Sequence, residues 1–352
     1  MTGTVSNPRS VLVIVGPTGV GKTKLGVAIA KVLMTEVVSV DSLQVYSAGG
    51  IMTAKATAEE MNGIKHHLVD YLPADEEPDD FFRLASAAID DLHRRNCIPV
   101  LVGGSTSLTI PLLFDKFKPR YRILVFTLWS AESTLCSRLD DRVDEMIYNG
   151  LLSELKDIYK LEKKLLRTEV FSRGIWKAIG YREFHPYLAS NGENNILLSD
   201  GISQMKENTK LYAKAQISWL KFKLIPLLKD QQIPQHSFEV TTSGRWQADV
   251  EEPAIRICTD WILAKPKKSI CVDRVAISAG RQQSGNYESS SSASSSTSSS
   301  AFCHLPSVYS EDETDSSSSS SDLHWIDNLS KPTSRVVLCL LTYLFPFRKP
   351  KF

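Results

Sequence analysis

The sequence predicts an α/β fold, in which helices flank a parallel β-sheet, followed by a helical part and a serine-rich tail. Short apolar runs alternate with helical patterns over residues 10–130, and this alternation is typical of strands joined by crossover helices. Helical patterns then dominate, and serine dominates a later stretch. We therefore expect an α/β core at 10–130, a helical part at 131–265 and a mostly disordered tail at 266–352.

Each element of the predicted core has its own pattern. The run SVLVIV at 10–15 is apolar and ends at a glycine, which indicates a buried parallel strand. Further strands are predicted at 36–40, 98–102 and 121–129. Helical periodicity predicts helices at 22–34, 79–95, 131–149, 151–164, 172–189 and 201–229. Parallel α/β sheets bind ligands at the carboxyl ends of their strands, so functional residues are expected there.

The composition is that of a folded chain with one unusual segment. The 352 residues are 42% hydrophobic and 23% charged, which supports a sizeable core and excludes a wholly disordered or collagen-like chain. Forty-one basic residues balance forty acidic ones, which argues against a histone-like binder. The segment Ser284–Asp322 is dominated by serine and cannot bury enough surface to fold, so it is expected to be disordered.

Cysteine usage and targeting patterns indicate the compartment. Six cysteines are scattered without any CxxC pair, so we predict no zinc site, and free thiols fit a reducing environment. The first residues lack the basic and apolar regions of a secretory signal. The apolar run Val336–Phe347 is shorter than the roughly twenty residues that span a bilayer. We expect a cytoplasmic protein that does not cross a membrane.

A glycine-rich motif follows the first predicted strand. Residues 16–23 read GPTGVGKT, which matches G-x-x-x-x-G-K-T between a strand and a helix. Glycines let backbone N–H groups converge on phosphate oxygens, and the helix that follows directs its positive end at the same anion. The motif predicts a P-loop NTPase-like sheet that binds a diphosphate or polyphosphate. Its predicted phosphate ligands are Gly16, Thr18, Gly19, Gly21, Lys22 and Thr23.

A carboxylate ends the second predicted strand. The strand at 98–102 ends in Gly103-Gly104, where a motor-type ATPase would carry an aspartate for Mg²⁺, so the sequence does not fit such an ATPase. Asp41 follows the strand at 36–40 and would lie near the phosphate loop. Its carboxylate is able to accept a proton from a nucleophile or to cap the turn that follows. The residues themselves leave both interpretations open.

Several further motifs occur in the order and spacing of one family. GPTGVGKT, SVDSLQVY at 39–46, TAK at 53–55, HHL at 66–68 and LVGGS at 101–105 together resemble the isopentenyltransferases. The segments RLDDRVDEMIYNGLLSEL, GIWKAIGYREF and YAKAQISWLK, which start at residues 138, 174 and 212, are similar to the same family. The last two most resemble its eukaryotic tRNA-modifying branch. The resemblance covers residues 10–265.

The resemblance implies a transferase of EC class 2.5.1. Members of the family move a dimethylallyl (isopentenyl) group from dimethylallyl diphosphate to the N6 amine of adenine. The acceptor implied first is adenosine 37 next to the anticodon of tRNA. The alternative is a free adenine nucleotide (AMP, ADP or ATP), as in cytokinin synthesis. Two remoter alternatives are a P-loop small-molecule kinase and a relative that binds RNA without catalysis.

The resemblance also assigns roles to residues. Thr18, Lys22 and Thr23 would neutralise the departing diphosphate together with Mg²⁺, which the Thr23 hydroxyl would help to hold. Asp41 would accept hydrogen from the adenine N6 amine. Ser105 would line the channel where the two substrates meet, which the helical part would complete. Further candidates are Lys55 and Lys214 for the diphosphate and Ser42, Gln44 and Tyr46 for the acceptor. Arg138 and Arg142 are able to bind phosphate, but surface ion pairs are favoured because their helix also carries Asp140, Asp141 and Asp144.

Departures from the family bear on the acceptor and on activity. Leu113 is joined to Tyr121 by FDKFKPR, so the helical insertion that grips the anticodon arm is absent, and no zinc finger is found. Ala215 stands where the family commonly has an arginine that clamps the diphosphate, and Lys214 would replace it only as a point charge. The stretch Leu151–Asp230 carries fourteen basic and nine acidic residues and offers tRNA a basic surface. We expect a monomer, with mitochondrial or nuclear pools implied by the resemblance alone.

Overall fold

A computed structural model of the chain describes residues 9–117, 120–166, 170–241 and 244–264. Within these ranges the chain forms a parallel sheet of six strands in the order β3-β2-β4-β1-β5-β6, which confirms the predicted fold class. The strands are β1 (Arg9–Val15), β2 (Val37–Val40), β3 (His66–His67), β4 (Val100–Gly103), β5 (Tyr121–Trp129) and β6 (Gln235–Glu239). The predicted tail from residue 266, with its serine-rich segment, lies outside the described residues.

Helices connect and cover these strands. The α-helices of the described ranges are α1 (Lys22–Val32), α2 (Ala58–Met61), α3 (Phe81–Arg94), α4 (Glu132–Tyr148), α5 (Leu151–Leu165), α6 (Tyr181–Ala189), α7 (Asn195–Trp219), α8 (Ile225–Asp230) and α9 (Glu252–Leu263). Short π-helical segments lie at Pro111–Phe117, Leu220–Leu224 and Gln247–Glu251. The first of these overlaps the short connection between Leu113 and Tyr121, where the family has its helical insertion.

Both faces of the sheet are buried. Alternate residues of β1 point to opposite faces, with Val11, Val13 and Val15 on one side and Leu12 and Ile14 on the other. The first set shares one hydrophobic core with α3 and with α5, α6 and α7, while the second set shares another with α1 and α9. A strand that is buried on both faces reads as a continuous apolar run, which is why the sequence predicts β1 clearly.

The sequence pattern does not predict the two edge strands, β3 and β6. β3 consists only of His66 and His67, so it is too short to carry a period. In β6 only Phe238 is buried, and the other residues of this strand are polar and at least partly exposed. Both strands lie at the ends of the sheet, where a strand has a neighbour on one side only and need not be apolar.

The helix predicted at 172–189 is wrong in its first half. Two 3₁₀ turns between residues 170 and 177 occupy this part, and the α-helix begins only at Tyr181. Gly174 has a φ of 58°, and a Cβ there would lie 2.1 Å from the carbonyl oxygen of Ala74. Because a neighbouring loop approaches so closely, the backbone takes a left-handed conformation here instead of continuing a helix.

The long helix predicted at 201–229 begins earlier and is interrupted. Its first residue is Asn195, because the side chain of Asn194 accepts hydrogen bonds from the backbone N–H groups of Ile196 and Leu197 at 3.0 and 3.1 Å. This cap satisfies two of the N–H groups that a helix start leaves without partners. The helix then changes to the π-helical segment after Trp219 before α8 follows.

After α8 the chain returns to the sheet. β6 pairs with β5, and α9 shares a hydrophobic core with α1. Residues beyond 230 therefore complete one edge of the sheet and one face of the core. The domain boundary expected near residue 130 stays a prediction. None of the helices in the described ranges combines the length and the apolar character needed to cross a bilayer.

Candidate active site

The glycine-rich motif forms a loop between β1 and the N-terminus of α1. Gly21 precedes the helix with a φ of 97°, and no side chain caps the first turn. The first N–H groups of a helix lack partners within it, so here they remain available, together with the positive end of the helix, for an anion. A Cβ at Gly21 would lie 2.9 Å from carbons of the Trp246 ring, so both conformation and space require glycine.

Lys22 is held against the loop that it follows. Its Nζ donates a hydrogen bond to the carbonyl oxygen of Pro17 at 2.8 Å. Burial lowers the pKa of Lys22 to about 8, while the carboxylate of Asp41 acts to raise it and the guanidinium of Arg142 acts to lower it further. These three charged groups therefore lie within electrostatic reach of one another, and a bound anion would stabilise the ammonium form.

Arg142 of α4 reaches the phosphate loop, so its expected surface ion pair is wrong. Its Nη1 donates to Thr18 Oγ1 at 3.0 Å, and burial lowers the pKa of its guanidinium. Leu135 and Leu139 are buried on the same face of α4, and their spacing to residue 142 is the helical one. That spacing is the sequence signal that could have placed this arginine inward. Asp140 of α4 pairs instead with a lysine of α7.

Arg138 also differs from its expected role. It donates a hydrogen bond to the backbone carbonyl of Thr241 rather than joining a surface ion pair. Thr241 lies just beyond β6, so this bond joins α4 to the segment that completes the sheet. Arg138 therefore links two elements through this bond.

Asp41 caps its turn and keeps a second oxygen for chemistry. Its Oδ1 accepts hydrogen bonds from the backbone N–H groups of Leu43 and Gln44 at 2.9 and 3.3 Å. Within the described residues, Oδ2 accepts no hydrogen bond. The two interpretations left open by the sequence are thus compatible, because one oxygen fixes the carboxylate while the other remains available as a proton acceptor.

Gln216 of α7 joins two strand ends, and sequence reasoning missed it. Its Oε1 accepts a hydrogen bond from the N–H of Thr18 at 2.7 Å, and its Nε2 donates to the carbonyl oxygen of Gly104 at 2.9 Å. The side chain is only 3% exposed. Next to Gly104, Ser105 is 4% exposed, and its Oγ lies 3.2 Å from Ser107 Oγ. The helix therefore fixes the phosphate loop to the turn that carries Ser105.

Tyr212 lies one helical turn before Gln216 and is a further group near the site. Burial raises the pKa of its phenol, and the nearby carboxylate of Asp41 raises it further. Residues four apart share a helix face, so Tyr212 and Gln216 both point toward the strand ends. Their spacing in YAKAQ was visible in the sequence, but the direction of that face was not.

The two lysines predicted for the diphosphate already have partners. Lys55 donates to the carbonyl oxygens of Tyr46 and Ala48 and to the carboxylate of Asp70, so its three donors are used. Lys214 forms an ion pair with Glu132 at 2.8 Å. Their role as diphosphate ligands stays a prediction, and it would require each ammonium to exchange a partner.

The acceptor candidates differ in their exposure. Tyr46 is fully buried, and its hydroxyl donates to the carbonyl oxygen of Glu76 at 3.2 Å, so its contacts are those of a core residue. Gln44 Nε2 donates to the carbonyl oxygen of Ala54 at 3.3 Å and thereby holds the following loop. Ser42 is partly exposed beside Asp41. Of the three, Ser42 and Gln44 are partly exposed, whereas Tyr46 is buried.

The pKa of Lys22 predicts a pH dependence of anion binding. Its ammonium is charged below about pH 8 and becomes neutral above it. We expect the dissociation constant for inorganic diphosphate to rise as the pH increases beyond about 8, because the cation that binds the anion is lost. Titration calorimetry on both sides of this pH tests the point. In the control variant Lys22→Met this component should be missing, and identical pH profiles for the two proteins would contradict the assignment.

Gly104→Ala is expected to disturb the phosphate loop. A Cβ at 104 would lie 2.7 Å from the carbonyl oxygen of Gly16 and 2.8 Å from Gln216 Nε2. We expect about a tenfold loss of diphosphate affinity, since the Gln216 amide must move away from the loop. Gly50→Ala is the matched control, because its nearest atom, Glu154 Oε1, lies at 3.5 Å. Equal diphosphate affinities of the two variants would argue against the role of Gln216.

One predicted Mg²⁺ ligand, the hydroxyl of Thr23, lies next to the phosphate loop. The partly exposed Thr23 lies in the first turn of α1, directly after Lys22, where its hydroxyl would join the shell of an ion that arrives with the diphosphate. No group of three or more His, Cys, Asp or Glu side chains suited to a metal is found in the part of the chain that the structure describes.

The phosphate loop, its partly buried lysine and the carboxylate at a neighbouring strand end define a P-loop protein that places a proton acceptor near an anion site. The IPP transferase family matches this chain over residues 44–115 and 106–223. The chain therefore belongs to the IPP transferase family, as its motifs indicated.

Known proteins of this kind resemble the chain in sequence and in fold. A bifunctional cytokinin biosynthesis protein of Fusarium pseudograminearum is 44% identical over 290 residues, which cover 80% of this chain and 60% of that protein. A tRNA dimethylallyltransferase of Saccharomyces cerevisiae is 29% identical, over 76% of this chain and 79% of the relative. The crystal structure of a eukaryotic dimethylallyltransferase acting on tRNA has a TM-score of 0.64 and 28% identity, over 74% and 81% of the two chains.

Proposed function

We propose that the protein transfers a dimethylallyl group from dimethylallyl diphosphate to the N6 amine of adenine. The observation that carries this proposal is the convergence of Lys22, Arg142 and Asp41 at the carboxyl end of the sheet. The two cations suit a diphosphate leaving group, and the carboxylate suits a weakly acidic amine. The names of the relatives support the same reaction.

The proposed mechanism is a direct displacement. The N6 nitrogen attacks the allylic carbon, the carbon–oxygen bond breaks, and its electron pair leaves with the diphosphate. Asp41 Oδ2 takes the proton that N6 loses. Lys22, Arg142 and the N–H groups of the loop stabilise the charge on the departing oxygens, and Mg²⁺ bound to the diphosphate would supply further positive charge. Tyr212 faces the carboxylate and helps to exclude water from it.

The proposed acceptor is adenosine 37 of a tRNA. The yeast relative is named for this class of substrate, and the basic stretch Leu151–Asp230 supports binding of a nucleic acid. One observation favours a free adenine nucleotide instead. The connection at Pro111–Phe117 is a short helical turn, which leaves no element there for an anticodon arm. The Fusarium relative is named for cytokinin biosynthesis, which fits that second candidate.

A transfer assay separates these candidates. Purified protein with Mg²⁺ and labelled dimethylallyl diphosphate is offered, in separate reactions, an unmodified tRNA with A37, the same tRNA with G37, AMP and ATP. Label in the A37 tRNA alone supports the tRNA enzyme, and label in AMP or ATP alone supports the nucleotide enzyme. Label in none of them would contradict the proposed transfer. Transfer without ATP turnover also excludes a kinase.

Other expectations rest on the sequence alone. A monomeric state, a cytoplasmic location and the dependence on Mg²⁺ stay proposals. Analytical ultracentrifugation tests the first, localisation of the tagged full-length protein the second, and transfer in the presence of EDTA the third.

A further inference from the structure

A single helical turn at residues 49–54 follows the segment that carries Asp41, and the proposed reaction gives it no role. Within the turn, the backbone N–H of Thr53 donates to the carbonyl oxygen of Gly49 at 3.0 Å, as in an α-helix that does not continue. The first N–H groups of such a turn lack partners inside it, and so do its last carbonyl groups. Both ends therefore depend on other parts of the chain.

Glu154 of α5 binds the first end of the turn. Its Oε1 accepts a hydrogen bond from the backbone N–H of Ile51 at 2.8 Å, and its Oε2 accepts one from that of Met52 at 2.8 Å. These partners lie 103 and 102 positions away in the chain. Hydrogen bonds to an ionised carboxylate are about twice as strong as neutral ones. Glu154 therefore caps the turn from a distant helix.

The packing of α5 fixes the place of this carboxylate. Leu151, Leu155 and Ile158 of the helix are buried in the same hydrophobic core as Met52 of the turn. A side chain on a packed helix is located more precisely than one on a loop. Glu154 therefore sets where the first end of the turn lies.

Gln44 binds the second end of the turn and also contacts Asp41. Its side-chain Nε2 donates to the carbonyl oxygen of Ala54 at 3.3 Å. The hydroxyl of Ser39 donates to its Oε1 at 3.2 Å, which fixes the orientation of the amide. The backbone N–H of Gln44 donates to Asp41 Oδ1 at 3.3 Å. The contacts thus lead from α5, through the turn, to the carboxylate that the proposed mechanism uses as the base.

We propose that Glu154 is a positioning residue for the transfer, which acts through the turn at 49–54 and Gln44 on the place of Asp41. The inference rests on the proposed function, because that function makes Asp41 the proton acceptor. Proton transfer requires the acceptor oxygen within hydrogen-bond reach of the N6 amine, and small displacements of a catalytic group are costly. Loss of a contact at Glu154 should therefore slow the transfer and leave the phosphate site unchanged.

Glu154→Gln tests the effect on the reaction. The amide offers one oxygen to two N–H groups, so one hydrogen bond is lost while the size of the side chain is kept. We expect single-turnover transfer at saturating donor to slow about tenfold, with unchanged affinity for dimethylallyl diphosphate. Asp157→Asn is the matched control, because it removes an exposed carboxylate of the same helix and should have no effect. A wild-type rate in Glu154→Gln, or an equal loss of donor affinity, would overturn the proposal.

A double-mutant cycle with Gln44→Met tests whether Glu154 acts through Gln44. Methionine is similar in size but lacks the amide that binds the turn. Rate losses at independent sites multiply to within about twofold. We expect Glu154→Gln to slow the Gln44→Met protein by less than about threefold, because the connection to Asp41 is already broken. A further tenfold loss would indicate a separate structural role and would overturn the proposal.

Amide hydrogen exchange of the full-length protein provides a readout that needs no reaction. In Glu154→Gln, the N–H groups of Leu43 and Gln44, which donate to Asp41, should exchange at least about threefold faster, as should those of residues 51 and 52. Faster exchange confined to residues 51 and 52 would overturn the proposal. Coupled exchange in a protein that transfers no prenyl group would contradict the proposed function and still support the connection between Glu154 and Asp41.

Gln44→Met replaces Glu154→Gln in this measurement if the latter variant does not fold. Coupling between two sites is reciprocal, so loss of the Gln44 amide should speed exchange at residues 51 and 52, at the opposite end of the turn. Unchanged exchange at these two residues would overturn the proposal.

Discussion

Asp41→Asn is expected to slow dimethylallyl transfer by about 10²- to 10⁴-fold, the range that general-base catalysis supplies. The amide oxygen can still accept the N–H groups of Leu43 and Gln44, so the turn should survive. The amide cannot take the proton that N6 loses, however. Single-turnover transfer measures the loss, and calorimetry should find the donor bound with nearly unchanged affinity.

The control for this experiment is Asp157→Asn. Asp157 is an exposed carboxylate of α5 that pairs with Lys160 at 2.7 Å. Its replacement should leave the rate unchanged. If Asp41→Asn transfers prenyl groups at the wild-type rate, the base lies elsewhere, and Tyr212 would be the next group to replace.

The second large effect is expected for Arg142→Met. The guanidinium donates to Thr18 and lies within electrostatic reach of Lys22. Charge-assisted hydrogen bonds to an anion contribute about 1.5–3 kcal/mol, so the dissociation constant for the donor should rise by about 10- to 100-fold. The rate at saturating donor should also fall, because charge on the diphosphate grows as the carbon–oxygen bond breaks.

Arg142→Lys and Arg83→Met complete the series. Lysine keeps the charge but loses the planar fork, so Arg142→Lys should recover only part of the affinity. Arg83 is an exposed arginine of α3 that pairs with Asp80, and its replacement should have no effect on donor binding. Wild-type affinity in Arg142→Met would remove the arginine from the site. In that case Arg142 would not substitute for the arginine that the family commonly has at the position of Ala215.

The sequence predicts those parts of the site that are local in the chain. The phosphate loop and the turn after Asp41 each depend on a few adjacent residues, and both are present in the structure. For Arg142 the sequence left phosphate binding as the less favoured of two alternatives, and Gln216 was missed, because their roles depend on how α4 and α7 pack against the sheet. The lysine at 55 shows the reverse case. The donors of a charged residue in a family motif can all be occupied, here by two backbone carbonyls of its own loop and by the carboxylate of Asp70.

The bonds of Gln216 have a consequence for the order in which the protein is made. They join residues that lie 198 and 112 positions apart in the chain, at Thr18 and Gly104. The ribosome completes the glycine-rich motif long before residue 216 leaves the exit tunnel. Until then the nascent chain contains the loop but not the side chain that fixes it, and contacts so distant form late. We therefore expect the loop to reach its substrate-binding arrangement only after α7 has emerged.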